Sequence, residues 1–219
     1  MSSTEMFERG RETERELGSH LYEALTSAVA NALPALRGFD APTYMWLCAS
    51  HVRAHMRKAL ENVSLPEAWM LGGNPQLMGQ ILLNNTVTGD QIRFLKERRS
   101  YPGGAPVAGR NRARQNYYTA NAQEALPIFG STRPDSLELK SLLLWDFLDP
   151  DELDLGVSMR LVATNEVGQY GQALPLIFSI DIRPDTAIDF SDLAFVGDDQ
   201  RIDLFETKID ERLDKDSVG

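Results

Sequence analysis

Residues 90–118 read DQIRFLKERRSYPGGAPVAGRNRARQNYY, and the chain changes character across them. The stretch holds seven basic side chains (Arg93, Lys96, Arg98, Arg99, Arg110, Arg112 and Arg114) against two acids, Asp90 and Glu97. Its middle is glycine and proline, and its end carries the tyrosines Tyr117 and Tyr118. Before it, apolar residues recur at the three- and four-residue spacings of helices; after it they alternate, as in strands. That switch predicts an α+β protein. Residues 1–102 are expected as a helical layer of about four helices, 103–118 as a basic Gly-rich arm or loop, and 119–219 as an acidic antiparallel β-sheet of hairpins. The three parts are expected to make one compact domain.

Working back from the stretch, two helices stand out. Leu17, Leu21, Ala24, Leu25, Ala28, Ala32 and Leu36 make one apolar face; Pro34 should end or kink that helix, and Gly38 suits a left-handed exit. Met45, Cys48, Ala49, Val52, Met56, Ala59, Leu60 and Val63 form the next stripe, with Asp40 as cap and Pro42 in the first turn. The two should pack as an antiparallel pair. A third helix is expected to open at Asn74-Pro75 and bury Leu77, Met78, Ile81 and Leu82. A fourth is expected from Thr88, with Gln91 completing a capping box, and to end at Tyr101-Pro102-Gly103.

Working forward, residues 103–116 have no periodicity and read as a long loop, with Val107 as their one large apolar anchor. Leu153, Leu155, Val157, Met159 and Leu161 then alternate with polar residues, as do Leu174, Leu176, Phe178, Ile180 and Ile182. Asp149-Pro150-Asp151-Glu152 and Gly197-Asp198-Asp199-Gln200 are turn sequences between strand candidates. Arg133-Pro134-Asp135 recurs as Arg183-Pro184-Asp185, each followed by a strand, acidic turn and strand, which predicts two similar hairpins. One apolar side per strand predicts that helices cover one sheet face.

Charge is distributed as sharply as periodicity. Residues 51–114 carry 10 basic and 4 acidic side chains, whereas residues 135–219 carry 7 and 20. A basic middle within a chain of net charge -10 points to a polyanion surface, or to contacts between copies in which basic middle meets acidic sheet. The single cysteine, Cys48, excludes an internal disulfide and favours a reducing compartment. The N-terminus is too charged for a secretory signal, and no apolar run reaches the ~20 residues that cross a bilayer. A cytoplasmic protein with no membrane partner is expected.

Arginine forks match phosphate oxygens and aromatic rings stack on unpaired bases. The expected nucleic-acid surface therefore comprises Arg53, Arg57, Lys58, Arg93, Lys96, Arg98, Arg99, Arg110, Arg112, Arg114 and Tyr117, with Tyr101 and Tyr118 as further stacking candidates. Cations near a helix C-terminus also suit its dipole, which is the competing explanation for Lys96, Arg98 and Arg99. The third and fourth helices could form a helix-turn-helix in which Gln91 reads adenine and Arg93 guanine. Two glycines before Asn74-Pro75 offer an anion site at a helix N-terminus. His51 and His55 lie four apart on one helix face, a spacing two zinc ligands can use, but lack the metalloprotease glutamate between them.

The C-terminal stretch SDLAFVGDDQRIDLFETK, with Pro184-Asp185 upstream, resembles the active-site hairpin of restriction-endonuclease-like nucleases. The resemblance implies that Asp192 and Glu206 bind Mg²⁺ and that Lys208 helps orient the attacking water. Hard oxygen ligands suit Mg²⁺, which activates water and stabilises a leaving oxygen. No Gly-x-Ser-x-Gly elbow, phosphate loop or cysteine cluster occurs. The leading expectation is a non-enzymatic protein that binds nucleic-acid phosphates without a cofactor. Self-assembly and an Mg²⁺-dependent nuclease are the alternatives.

Overall fold

A computed structural model describes residues 1–40, 42–122 and 138–184. The protein is α+β. In chain order the elements are α1 (Ser3–Ala32), α2 (Met45–Asn62), β1 (Trp69–Gly72), β2 (Leu82–Asn85), β3 (Gln91–Lys96), α3 (Arg112–Thr119), β4 (Lys140–Phe147), β5 (Val157–Ala163) and β6 (Phe178–Ile182). The six strands form one sheet in sequence order, β1-β2-β3-β4-β5-β6. Among the described residues no helix is long and apolar enough to cross a membrane.

The first helix begins earlier than its apolar stripe suggests. Ser2 Oγ accepts from the Glu5 N–H (3.2 Å) while a Glu5 carboxylate oxygen accepts from the Ser2 N–H (2.6 Å), a complete capping box. Met6, Gly10 and Thr13 extend the buried face that continues through Leu17, Leu21, Leu25 and Ala32. The helix stops at Ala32, Pro34 sits in the 3₁₀ turn Leu33–Leu36, and Gly38 takes φ +91°, as its sequence suggests. In α2, Cys48, Val52, Met56 and Leu60 are buried and α2 packs on α1. Asp40 does not cap α2. Its carboxylate accepts from the Thr43 N–H (3.1 Å) in a preceding turn, and the helix starts at Met45.

The expected third and fourth helices are strands. Residues 75–79 are turns, and β2 and β3 pair as an antiparallel hairpin with Leu83 opposite Ile92. Asn74 and Pro75 open a turn, not a helix: Asn74 Oδ1 accepts from the Gln76 N–H (2.9 Å). Thr88 and Gln91 flank the next turn, in which Asn85 Oδ1 accepts from the Val87 and Thr88 N–H groups (both 2.9 Å) and Gly89 has φ +77°. Ile81, Leu83, Ile92 and Phe94 are buried while Leu77 and Met78 are exposed, so the operative period is two. With these helices gone, the helix-turn-helix and the helix N-terminal anion site at residues 72–75 fall as well.

The sheet is mixed. β3 and β4 run parallel, with Ile92 beside Ser141 and Phe94 beside Leu143; the other neighbouring pairs are antiparallel. A parallel pair cannot be joined by a tight turn, and the described part of the connection that follows β3, residues 97–122, carries α3. The expected β4–β5 hairpin is present across the Asp149-Pro150-Asp151 turn. Its second strand is shorter than the alternation suggested, because residues 153–155 form a 3₁₀ turn. The later strand likewise begins only at Phe178. Arg133-Pro134-Asp135 and the hairpin after Pro184 lie outside the described residues.

Strand β4 is buried on both faces from Ser141 to Phe147. Leu143, Trp145 and Phe147 join Ile92, Phe94, Leu161 and Ile180 under α1 and α2. Leu142 and Leu144 face the other way, with Val162, against Ala105, Ala108, Tyr118 and Leu174. The segment expected as an arm thus covers the second face: Ala105, Val107 and Ala108 are buried, and the Tyr118 hydroxyl donates to Pro106 O (2.8 Å). Alanine reads as loop in an aperiodic stretch, yet it is small enough to seat backbone close to a flat sheet.

Candidate nucleic-acid interface

The alternation of β3 sets the first cation. Ile92 and Phe94 point to the main core, so Arg93 and Leu95 lie on the opposite face, beside Leu142 and Leu144 of β4. Helix α3 delivers the second. Asn111 caps it by accepting from the Arg114 N–H (3.0 Å), and Arg114 lies half-buried one turn before Tyr118. Arg53 comes from α2, one residue past the buried Val52, where its guanidinium donates to Met78 O (3.3 Å).

These three guanidiniums are electrostatic neighbours. Burial, followed by the positive charges of Arg114 and Arg93, lowers the Arg53 pKa; burial and then Arg114 lower that of Arg93. None of the three has a carboxylate partner among the described residues. The Arg93 guanidinium lies over the Tyr117 ring, 6.0 Å from its centroid. The Nε of Arg114 is buried with no hydrogen-bond acceptor among the described residues. Such clustering of like charge is unfavourable in itself.

Arg53 and Arg114 line an open cleft of ≈ 760 Å³ together with Lys96, Arg98, Arg99, Glu97 and Asp146. The two acids there are already matched. Asp146 holds Lys96 and the Arg99 Nε (2.8 Å), and Arg99 also reaches Leu148 O (3.1 Å); Glu97 pairs with Arg160. Trp46, 66% exposed, stands in the same cleft with Met45, Leu95 and Pro106.

A surface patch continues from the cleft. The Arg98 guanidinium sits 5.5 Å from the Tyr101 ring centroid and donates to its hydroxyl (3.2 Å). Tyr101 meets Tyr170 edge to face at 5.6 Å, and Tyr170 is 74% exposed. The Tyr170 hydrogen bond, with Arg98 and Arg114 nearby, lowers the Tyr101 pKa; Arg98 and Arg110 lie within electrostatic reach of Tyr170. Arg53, Arg93 and Arg114 thus act on one another, and Arg114, Arg98 and Arg110 act on the Tyr101–Tyr170 pair.

Other residues of the expected surface are placed elsewhere. Arg57 is used internally: it donates to Gly72 O (3.1 Å) and Gln80 O (2.8 Å), pairs with Glu61 (3.1 Å), and ties down the β1–β2 connection. Lys96 and Arg99 reach the cleft but are paired to Asp146. Lys58 and Arg112 are exposed. The Tyr117 hydroxyl lies 2.9 Å from both Gln91 O and Ser141 O, and burial raises its pKa strongly, so this ring is turned inward. Burial likewise pushes the Cys48 thiol up. Asp192, Glu206 and Lys208 lie outside the described residues. Among the described residues no cluster of three or more His, Cys, Asp or Glu is placed to hold a metal ion.

Sequence reasoning missed Trp46 and Tyr170. Trp46 carried a signal: it is a large aromatic off the buried stripe of α2. Tyr170 carried none, since it lies in a glycine-flanked loop. No family model, curated protein or solved structure matches the chain.

Proposed function

We propose that the protein binds single-stranded nucleic acid, with phosphates along Arg53, Arg93, Arg114, Arg98 and Arg110 and bases against Tyr101 and Tyr170. The observation that carries this reading is the gathering of Arg53, Arg93 and Arg114, none of which has a carboxylate partner among the described residues. A phosphate bound at these guanidiniums offsets the positive charge gathered there. The exposed Tyr170 ring, against the half-buried Tyr101 and its Arg98, favours unpaired strands, whose bases offer free faces, over duplex. No reaction is required of these residues.

Fluorescence anisotropy of labelled single-stranded DNA and RNA across a salt series tests the reading. Log affinity should fall linearly with log salt, with a slope of about 0.7 for each phosphate neutralised. Replacing both Arg53 and Arg114 by glutamine should make the slope shallower by about 1.4, the loss of two contacts. An intact protein that binds neither polymer at low ionic strength removes the proposal.

A further inference from the structure

We infer that the cleft beneath Trp46 is a pocket for a single phosphorylated nucleoside, a dianionic phosphomonoester joined to a flat ring. The inference rests on reading Arg53 and Arg114 as phosphate ligands and adds what the rest of the cleft selects. Its volume of ≈ 760 Å³ is within the range of small-molecule sites and far exceeds what a phosphate needs. Five cations and two carboxylates line it. That excess of three positive charges matches a terminal phosphate of about −1.5 to −2 better than the single charge of an internal phosphodiester.

The apolar part is equally specific. Trp46 leaves most of its indole in solvent, and Met45 and Leu95 lie in the same wall. A nucleobase stacked on that indole covers it, in the way aromatic platforms take bases. Phosphate at one end and an exposed aromatic with apolar neighbours at the other describe a nucleotide, where a bare anion would leave the second half unused. The nucleotide can be free or the phosphorylated end of a strand.

Tryptophan fluorescence reads this pocket directly, because Trp69 and Trp145 are buried and Trp46 is the exposed one of the three. Adenosine monophosphate at millimolar concentration is expected to quench the intact protein. Adenosine at the same concentration should quench far less, and Trp46→Phe should abolish the response. Arg114→Gln should weaken adenosine monophosphate binding by roughly tenfold or more, the loss of a charge-assisted hydrogen bond. Arg53→Gln, on α2, gives the same readout should the Arg114 variant fold poorly. Adenosine quenching as well as its monophosphate, or no quenching by the monophosphate, overturns the inference.

Oligonucleotides separate the source and the two proposals. A 5′-phosphorylated strand that binds more tightly than its 5′-hydroxyl twin supports the pocket and identifies a strand end as its occupant. Equal binding of the two strands, with quenching by the monophosphate retained, supports it with free nucleotide as the occupant. Strands that bind while the monophosphate leaves Trp46 unchanged overturn the pocket and leave single-strand binding standing. Quenching by the monophosphate with no strand bound at low salt supports the pocket and removes single-strand binding.

Discussion

Asp146 shows how a single buried carboxylate orders the cleft. It accepts from its neighbour's backbone, the Phe147 N–H (2.8 Å), and holds Lys96 and Arg99 in place. Lys96 is itself largely buried against the Trp145 and Phe147 rings, 5.3 and 5.7 Å from their centroids. Asp146→Asn keeps the shape and removes the charge, leaving an ammonium enclosed without its counter-ion. A destabilisation of about 3–5 kcal/mol by urea unfolding is the expected outcome. The other residue-scale consequence concerns Tyr118, whose phenol is buried and pushed up to about 12 from the ordinary 10.0. A raised folded-state value means the unfolded chain loses its proton first as pH rises. The stabilisation is complete below pH 10.0 and drains away as pH approaches about 12. Tyr118→Phe should flatten that alkaline loss in pH-dependent unfolding while costing about 1 kcal/mol at neutral pH, for the hydrogen bond to Pro106 O.

At the scale of elements, two contacts decide how the layers sit. Gly10 lets α1 lie on β6: a Cβ there would stand 2.8 Å from the Phe178 ring, which is buried and has an edge contact with Phe7 at 6.4 Å. Alanine gains about 1 kcal/mol of helix propensity over glycine in open helix, yet here overpacking of about 1–3 kcal/mol opposes it. Gly10→Ala should therefore be neutral to destabilising, and Phe178→Leu in the same chain should turn it stabilising relative to Phe178→Leu alone. Equal effects of Gly10→Ala in both backgrounds would show that the ring is not what excludes the methyl. The second contact is the seating of residues 105–108. The Ala108 N–H donates to Val167 O (2.9 Å), so its amide should exchange slowly for the internal part of a glycine-rich stretch. Exchange at the rate of an exposed loop would count against the covering of the second face.

For the molecule as a whole, charges of opposite sign meet across long sequence separations among the described residues. Arg9 reaches Asp90, Arg160 reaches Glu97, and Lys96 and Arg99 reach Asp146, so several charges of each sign are matched within the chain. Arg53, Arg93 and Arg114 instead sit near one another with no carboxylate partner among the described residues, an arrangement that opposes folding by like-charge repulsion. Arg114→Gln should then raise Tm by roughly 1–3 °C in the free protein while weakening nucleic-acid binding. Calorimetry with and without oligonucleotide separates the two effects. A variant that is both less stable and unchanged in binding would make Arg114 a packing residue only.

The sequence by itself determined what depends on neighbours along the chain. The stripes of α1 and α2, the break at Pro34 and Gly38, the acidic turn of the β4–β5 hairpin and the concentration of arginine at residues 93–114 were all legible, since each is a local spacing or a local excess. What spans the chain was not. Residues 74–82 and 88–101 read as helices in short windows, because Asn-Pro and Thr-x-x-Gln signatures serve turns as well as helix starts; strand pairing across β2, β3 and β4 decided otherwise. The parallel β3–β4 pair cannot be seen locally either, as no tight turn can join it. The connection that follows β3 lays α3 against the second face and brings Arg114 to Arg93, while α2 brings Arg53. Which arginines meet and which are matched by acids is a property of three-dimensional proximity, because Coulomb energy depends on distance in space and is indifferent to separation in sequence.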